Sequence, residues 1–390
     1  MGIYRQKMNF EIEKFKKGGN IMGKKLNIAA MGLFFTALYL GMNYYVYRGS
    51  IRGLEVPEPL LWLLRGAFLV IGSFFIFGMF LRKKPYIRNI AYLGNFWLGI
   101  LSMAISVFLI RDLASLVMNF DMSRSTVIAL IVTVLITAYS FYNGTSVPIV
   151  REVTIPTSKI TEASQGVTIT QLTDMHIGML TSKKWLEKTV EIANGLNSDY
   201  IVITGDLIDG NRDSIQSFMP ILKGLRALRG KYAIMGNHEI YSGLKDYHRF
   251  VKESGLTPLR NEGVTISNHL EIYGVDDLTV EKYLETPIDL KEILRDVDPD
   301  RYSVLLLHQP ERFSQAVDQG IDLQLSGHTH SGQIPPLEWI IPFYFRYSKG
   351  LYNRKNSHIY TSPGTGVWGP PMRFLSKNEI TKFHIVPKGE

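Results

Sequence analysis

The sequence predicts an α/β protein in two parts: a transmembrane region of four helices over residues 1–144, followed by a soluble α/β domain over residues 145–390. Three observations predict it. At 390 residues the chain exceeds one average domain. Four long apolar segments are confined to its first part. After Gly144, short β-branched runs alternate with helical stretches and turn residues, and polar residues follow nearly every predicted strand.

The apolar segments are Asn27–Tyr47, Pro59–Leu81, Ile90–Ile110 and Thr126–Tyr142. Each is close to the roughly 20 residues that a helix needs to cross the hydrocarbon. Buried helices of a soluble protein would leave polar faces at helical spacing, and none of the four shows one. Three further segments follow the first, which argues against a cleaved signal peptide. The formal charge of +8 concentrates in the first 90 residues beside these runs, so it reads as membrane topology and not as a nucleic-acid footprint. Lys24 and Lys25 precede the first span, and Arg82, Lys83, Lys84 and Arg88 fill the loop after the second. Those sides are expected in the cytoplasm. The remaining loops carry only Arg48 with Arg52, and Arg111 with Arg124, the latter pair offset by Asp112 and Asp121. An even number of spans then returns the C-terminal domain to the cytoplasmic face of the cell membrane. Arg65, inside the second span, lies within two turns of its start; snorkelling to the interface explains it better than a functional intramembrane charge. The run Lys16-Lys17-Gly18-Gly19-Asn20-Ile21-Met22 reads as a translated ribosome-binding site, which makes Met22, and not Met1, the expected first residue.

In the second part, Val167–Leu172, Tyr200–Thr204, Tyr232–Met235, Ser303–Leu307 and Leu323–Leu325 read as strands, with helices near Lys183–Asn194, Ser214–Leu228 and Leu244–Glu253. A linker is expected over Asn143–Lys159. The chain has no cysteine, so disulfides, thiolate metal sites and cysteine nucleophiles are excluded, and any metal must bind nitrogen and oxygen. Candidate ligands sit at the strand ends. Asp174 and His176, two apart after the first strand, converge if the extended backbone persists. Asp206 and Asp209 follow the second strand, behind Gly205. Asn237 and His238 follow the third, His308 the fourth, and His328 and His330 the fifth. Taken singly, each is explained by a turn, a helix cap or a satisfied histidine. Together, five of the nine histidines at strand ends beside Gly or Asp are hard to explain by packing, and a shared metal site explains them.

The order Asp-x-His, Gly-Asp-x-x-Asp, Gly-Asn-His-Glu, His, Gly-His-x-His, running from about Val167 to the C-terminus, resembles the calcineurin-like metallophosphoesterase superfamily. With the segment Pro363–Arg373 it looks most like the bacterial YkuE/YaeI-like branch, some members of which carry N-terminal membrane spans. The resemblance implies a two-sheet α/β sandwich and a metal-dependent hydrolase acting on phosphate esters or phosphoanhydrides. It also implies two divalent ions, one held by Asp174, His176, Asp206 and His330 and the other by Asp206, Asn237, His308 and His328. His238 matches the family's catalytic histidine, and Asp209 is expected to orient its ring. The mixed donors suit manganese, iron or zinc, with manganese favoured. Phosphoprotein phosphatases of this superfamily continue the second motif with Arg-Gly, whereas Gly210 and Asn211 stand here, so a phosphoprotein substrate is disfavoured. Arg373 or Arg260 is the expected replacement for the missing phosphate-gripping arginine.

The run Pro335–Tyr347 carries Trp339, Ile340, Ile341, Phe343, Tyr344, Phe345 and Tyr347. Such residues either pack under the sheet or against the spans, or, with Trp368, form a lip in the interfacial zone that admits a lipid headgroup. The second reading makes a phosphorylated or nucleotide-linked lipid the expected substrate and membrane lipids the partners. A soluble phosphodiester is the alternative, and a catalytically silent metal-binding sensor is the rival from another class.

Overall fold

Each of the four apolar segments forms a helix in the computed structural model, which describes residues 21–81, 87–160, 166–210 and 212–388. They are α1 (Ile21–Ile51), α2 (Glu58–Leu81), α3 (Arg88–Ala114) and α4 (Met122–Thr145). Among the described residues, Glu58–Met79, Arg88–Ala114 and Met122–Thr145 are long and apolar enough to cross a membrane. The first predicted span lies on α1, a helix of 31 residues. Residues 1–20, the choice between Met1 and Met22, and Arg82, Lys83 and Lys84 of the topology argument lie outside the described residues.

Small and hydroxylated residues make the buried face of α4, against large apolar residues such as Leu101 and Phe108 of α3. Thr126, Ala129, Thr133, Thr137, Ser140 and Gly144 are buried along α4 at three- and four-residue steps, while Val134 and Leu135 face outward. This is the pattern by which membrane helices approach closely. Asp121 caps α4 by accepting from Ser123 N at 2.8 Å and Arg124 N at 3.1 Å. At the end of the bundle away from the sheets, Arg111 Nη1 donates to Gly49 O and Thr126 Oγ1, both at 2.9 Å, and Arg52 pairs with Asp112 at 2.9 Å. Arg65 Nε donates to Tyr47 Oη at 3.0 Å and its guanidinium covers the Trp62 ring, so the intrahelical charge is locally satisfied.

Beyond α4 lie two six-stranded sheets and a two-stranded ribbon of β3 (Ile177–Gly178) and β5 (Ile208–Asp209). The first runs β1 (Ile149–Thr157), β14 (Glu379–Pro387), β2 (Val167–Leu172), β4 (Tyr200–Thr204), β6 (Gly230–Ile234), β7 (Thr257–Pro258). The second runs β12 (Gly350–Arg354), β13 (Ser357–Thr361), β11 (Leu323–Ser326), β10 (Tyr302–Leu306), β9 (Leu270–Gly274), β8 (Glu262–Ser267). Ile169, Val202, Ile234, Ile272, Val304, Leu325 and Phe383 fill the space between the sheets. The runs β2-β4-β6-β7 and β9-β10-β11-β13 are parallel, so their C-terminal ends gather at one edge of the sandwich. All five residues of β4 are buried, as expected for a strand covered on both faces. Helix α5 (Lys183–Gly195) is capped by Ser182 and buries Leu186, Thr189, Val190 and Ala193, a one-sided stripe.

Two expectations fail locally. The helix expected over Ser214–Leu228 is broken into Arg212–Ile215, a 3-10 turn at Gln216–Phe218 and Met219–Lys223, with Pro220 in the first turn of the last piece and Gly224 after it. The expected linker Asn143–Lys159 is the last turn of α4 followed by β1, which pairs in parallel with β14 from Ile149↔Glu379 to Thr157↔Pro387. Its partner is about as far away in sequence as the domain allows, so local pattern could not show it.

The sheets are therefore docked on the helices instead of tethered. Met372 is fully buried in a cluster with Met103 and Ile334, flanked by Phe96, Ile100, Ile136, Phe141 and Phe374. Ser102 Oγ donates to Pro335 O, and Arg373 N donates to Ser140 O at 2.8 Å. Ser102 stands 14 residues after Arg88 (102 − 88), about 21 Å along α3 at the helical rise. The contact thus runs well down the side of the bundle.

Candidate metal centre

The gathered strand ends carry the ligand loops. Asp174 and His176 follow β2, Asp206 and Asp209 follow β4, Asn237 and His238 open a short helix, α6 (Asn237–Ser242), after β6, His308 follows β10, and His328 and His330 follow β11. The extended backbone does not persist through Asp-x-His, contrary to the sequence expectation. Asp174, His176, Asp206, His328 and His330 all adopt positive φ, from 46° to 69°. Each such residue costs about 1–3 kcal/mol, held in place by its surroundings. The left-handed step turns each side chain out of the strand and into the shared crevice. Close packing accompanies it: a Cβ on Gly236 would strike Asp206 Oδ1, and one on Gly327 would strike Asp174 Oδ2.

Three groups of donors result: Asp174, His176 and His330; His176, Asp206 and His238; and Asp206, His308 and His328, with the offered atoms of each within 4.8 Å of one another. Asp206 joins them. Its Oδ2 lies 3.2 Å from His308 Nε2 and 3.8 Å from His176 Nε2, while its Oδ1 accepts from His238 N at 2.9 Å. His330 Nε2 is 3.4 Å from Asp174 Oδ1 and 3.0 Å from His176 Nε2. His328 Nδ1 is 2.9 Å from Asn237 Oδ1 and 3.3 Å from His308 Nε2. All seven sequence-predicted ligands are brought together, and His238 and Asp209 lie beside them.

These contacts fit divalent cations. Imidazole nitrogens facing each other at 3.0 Å cannot both donate, whereas two nitrogens bound to one ion at about 2.0–2.1 Å sit roughly 3 Å apart. From the protein's own groups alone, burial holds His176 and His328 down to about 4 and His330 well below its usual range, leaving their lone pairs free for a metal. Burial lifts Asp174 to about 6; in Asp206 burial opposes ionisation but the His308 charge prevails and holds the carboxylate well below normal. The nitrogen and oxygen donors suit manganese, iron or zinc.

His238 Nδ1 is 3.3 Å from Asp209 Oδ1. Burial lowers its pKa, but the Asp209 hydrogen bond and the Asp206 charge outweigh it, for a net rise to about 9. Trp368 and Tyr241 approach the ring at 6.2 and 5.7 Å between centroids.

Sequence reasoning gave no role to Glu239, although it stands in the Gly-Asn-His-Glu run. It is fully buried, and its carboxylate accepts from Gly236 N at 2.6 Å, Asp206 N at 3.0 Å and Ile208 N at 2.9 Å, tying two ligand loops together. Its partners are backbone groups, which spacing does not reveal. His308 Nδ1 contacts Thr204 O at 2.8 Å, fixing that ring as an outer-shell hydrogen bond fixes a ligand.

The two arginines expected to grip phosphate are both engaged elsewhere. Arg373 is fully buried; its guanidinium donates to five oxygen acceptors and lies 3.2 Å from His330 Nδ1. Arg260 makes a bidentate pair with Asp276, at 3.1 and 2.6 Å.

The aromatic run forms α8, the helix Leu337–Tyr344; α7 is Leu244–Glu253, where the sequence places it. Phe343 is 90% and Tyr344 79% exposed, with Leu337, Trp339 and Ile340 exposed beside them, so this face packs neither under the sheet nor on the described helices. Phe345 follows directly, its ring 5.5 Å from that of His328. Next to it a cleft of about 400 Å³ is lined by Arg346, Tyr347, Leu351, Tyr352, Asn353 and Arg354.

The family model for calcineurin-like phosphoesterases matches residues 167–332. The uncharacterized metallophosphoesterase YkuE of Bacillus subtilis is 35% identical over 251 residues, covering 60% of this chain and 84% of its own. A transmembrane protein with metallophosphoesterase domain from Danio rerio is 32% identical, covering 67% of this chain and 62% of its own. An uncharacterized metallophosphoesterase of Campylobacter jejuni is 28% identical over 371 residues, covering 91% and 98% of the two chains.

Proposed function

This chain belongs to the calcineurin-like metallophosphoesterases, hydrolases of phosphate esters, and from that premise we propose that it is a membrane-anchored dinuclear phosphoesterase acting on a phosphorylated or nucleotide-linked lipid. Asp174, His176, Asp206 and His330 would hold one cation, and Asp206, Asn237, His308 and His328 the other. Such a pair, when bound, neutralises charge on the phosphate oxygens and acidifies the attacking water. Asp209 fixes His238 through Nδ1, which leaves Nε2 directed to protonate the departing oxygen. Glu239 holds the Asp206 and Asn237 loops in register.

The observation that carries the lipid assignment is the exposed apolar face of α8 ending at Phe345, against a proposed ligand ring, in a domain docked along membrane-length helices. An acyl chain lying on that face would bring its headgroup to the metals, and Arg346 and Arg354 offer positive charge beside it. The four helices would anchor the chain with the catalytic domain on the cytoplasmic side, as the basic loops direct. Alkaline phosphatase fused after Lys159 should be inactive in cells; an active fusion contradicts that orientation.

The test of function is a hydrolysis panel with the full chain in mixed micelles and added manganese, covering nucleotides, nucleotide-linked lipids, phosphatidyl lipids and aryl phosphates. Preferred turnover of a lipid-linked ester is expected. Equal or better turnover of soluble phosphodiesters contradicts the lipid assignment while leaving the reaction class intact.

A further inference from the structure

Met372 and Arg373 are consecutive and face opposite ways. Met372 is buried in the cluster formed with α3 and α4, and Arg373 N donates to Ser140 O of α4. The Arg373 guanidinium spends all five of its N–H groups on protein: Nε on Asn378 Oδ1 at 2.7 Å, Nη1 on Ser376 Oγ at 3.0 Å and His330 O at 3.2 Å, Nη2 on Pro363 O at 2.7 Å and Gly366 O at 2.5 Å, with the ring nitrogen His330 Nδ1 also 3.2 Å from Nη2. Gly366 N in turn donates to Asp174 O at 3.1 Å. Asn378 closes the path on the other side, donating to Gly144 O at 3.0 Å and Ser146 O at 2.9 Å at the end of α4. A continuous hydrogen-bonded path thus runs from α4 to the backbones of Asp174 and His330. Both hold positive φ, 53° and 47°, a conformation that needs support from outside the residue.

We infer that the half of the metal centre made by Asp174, His176 and His330 is set by the docked membrane helices, with Arg373 as the positioning residue that carries the coupling. The inference rests on the two-cation reading above. Arginine suits the task because its planar fork satisfies carbonyls in several directions at once, which a lysine ammonium on one atom cannot do. The opposite half is anchored mainly inside the α/β domain: Glu239 holds Asp206 and Thr204 O holds His308, and its link to the first half is the pair of bonds from His328 N to the Asp174 carboxylate, both at 3.1 Å. The helices therefore serve as part of the active-site frame, and any displacement of α4 against the sheets would be felt first at Asp174 and His330.

The interface offers a way to cut the path without touching the site. A Cβ on Gly144 would lie 2.6 Å from Met372 Cα and N, so Gly144→Leu forces the segment off α4. A Cβ on Gly41 meets nothing within 4 Å, which makes Gly41→Leu the control. Arg373→Lys cuts the same path at its other end. The full chain is reconstituted in nanodiscs, saturated with manganese and desalted, then read by metal analysis and by the electron paramagnetic resonance signal that distinguishes a coupled manganese pair from an isolated ion. Wild type and Gly41→Leu should hold two coupled ions. Gly144→Leu and Arg373→Lys should each retain about one, uncoupled, with unchanged circular dichroism. Two coupled ions in both variants would overturn the inference, and so would loss of both ions together, since that marks general unfolding and not a one-sided frame. If Gly144→Leu yields no folded chain, Gly99→Ala replaces it, because its added carbon strikes Met372 Sδ from α3. A wild type that holds fewer than two ions would count against the two-cation reading itself.

Discussion

Asp206, Asn237 and His308 are fastened by their own sheets and by Glu239, whereas Asp174 and His330 are fastened by loops that lean on Arg373 and, through it, on α4. The first arrangement draws its support from within the α/β domain, although Gly205 O also accepts from Asp174 N at 3.0 Å. The second spans the junction between two parts of the chain that sequence alone presents as separate. A ligand set that looks uniform in composition is thus built from supports of different origin, and substitutions should separate them.

The largest effect is expected where the halves meet. Asp206→Asn removes the shared charge, so both ions should be lost and turnover abolished, as read by metal analysis and hydrolysis of an aryl phosphate. Retention of both ions with activity would mean that Asp206 is not the bridge. Next, His238→Ala should leave both halves loaded while lowering kcat by roughly a hundredfold or more, the usual size of a lost general acid. Full activity with two ions retained would remove His238 from the chemistry. Glu239→Ala should act more on one half than on the other: three buried N–H groups lose their acceptor at about 1–3 kcal/mol each, and manganese affinity should fall about 10–100-fold at the Asn237, His308 and His328 side and less at the Asp174 side, which shares only Asp206 with it. Equal weakening of both ions in a titration would show that the halves are not separately supported. The smallest effect belongs to the rim. Replacing Trp339, Phe343 and Phe345 by serine should impair hydrolysis of a micellar lipid ester and spare a small aryl phosphate; equal loss on both would make α8 a part of the core.

How much of this was legible depended on where the determining contact lies. Val167–Leu172, Tyr200–Thr204 and Leu244–Glu253 are legible to the residue because strands buried on both faces, or a one-sided helical stripe, announce themselves locally. β1 resembles a linker in the sequence because Ile149–Thr157 is an exposed edge strand whose partner is the C-terminal strand. The seven ligand types stood at strand ends in the sequence, yet the left-handed backbone that aims them is a property of the packed loops. Arg373 shows the limit most clearly. A lone arginine near a phosphate site suggests anion binding, and only the assembled loops reveal five carbonyl, amide and hydroxyl acceptors around it.

The central claim, that hydrolysis needs two cations held across Asp206, is tested most directly by titrating metal-stripped full-length chain with manganese while following hydrolysis of a small aryl phosphodiester. Turnover should stay near zero through the first equivalent and rise with the second. Full turnover with a single equivalent, or turnover unaffected by stripping, would contradict it.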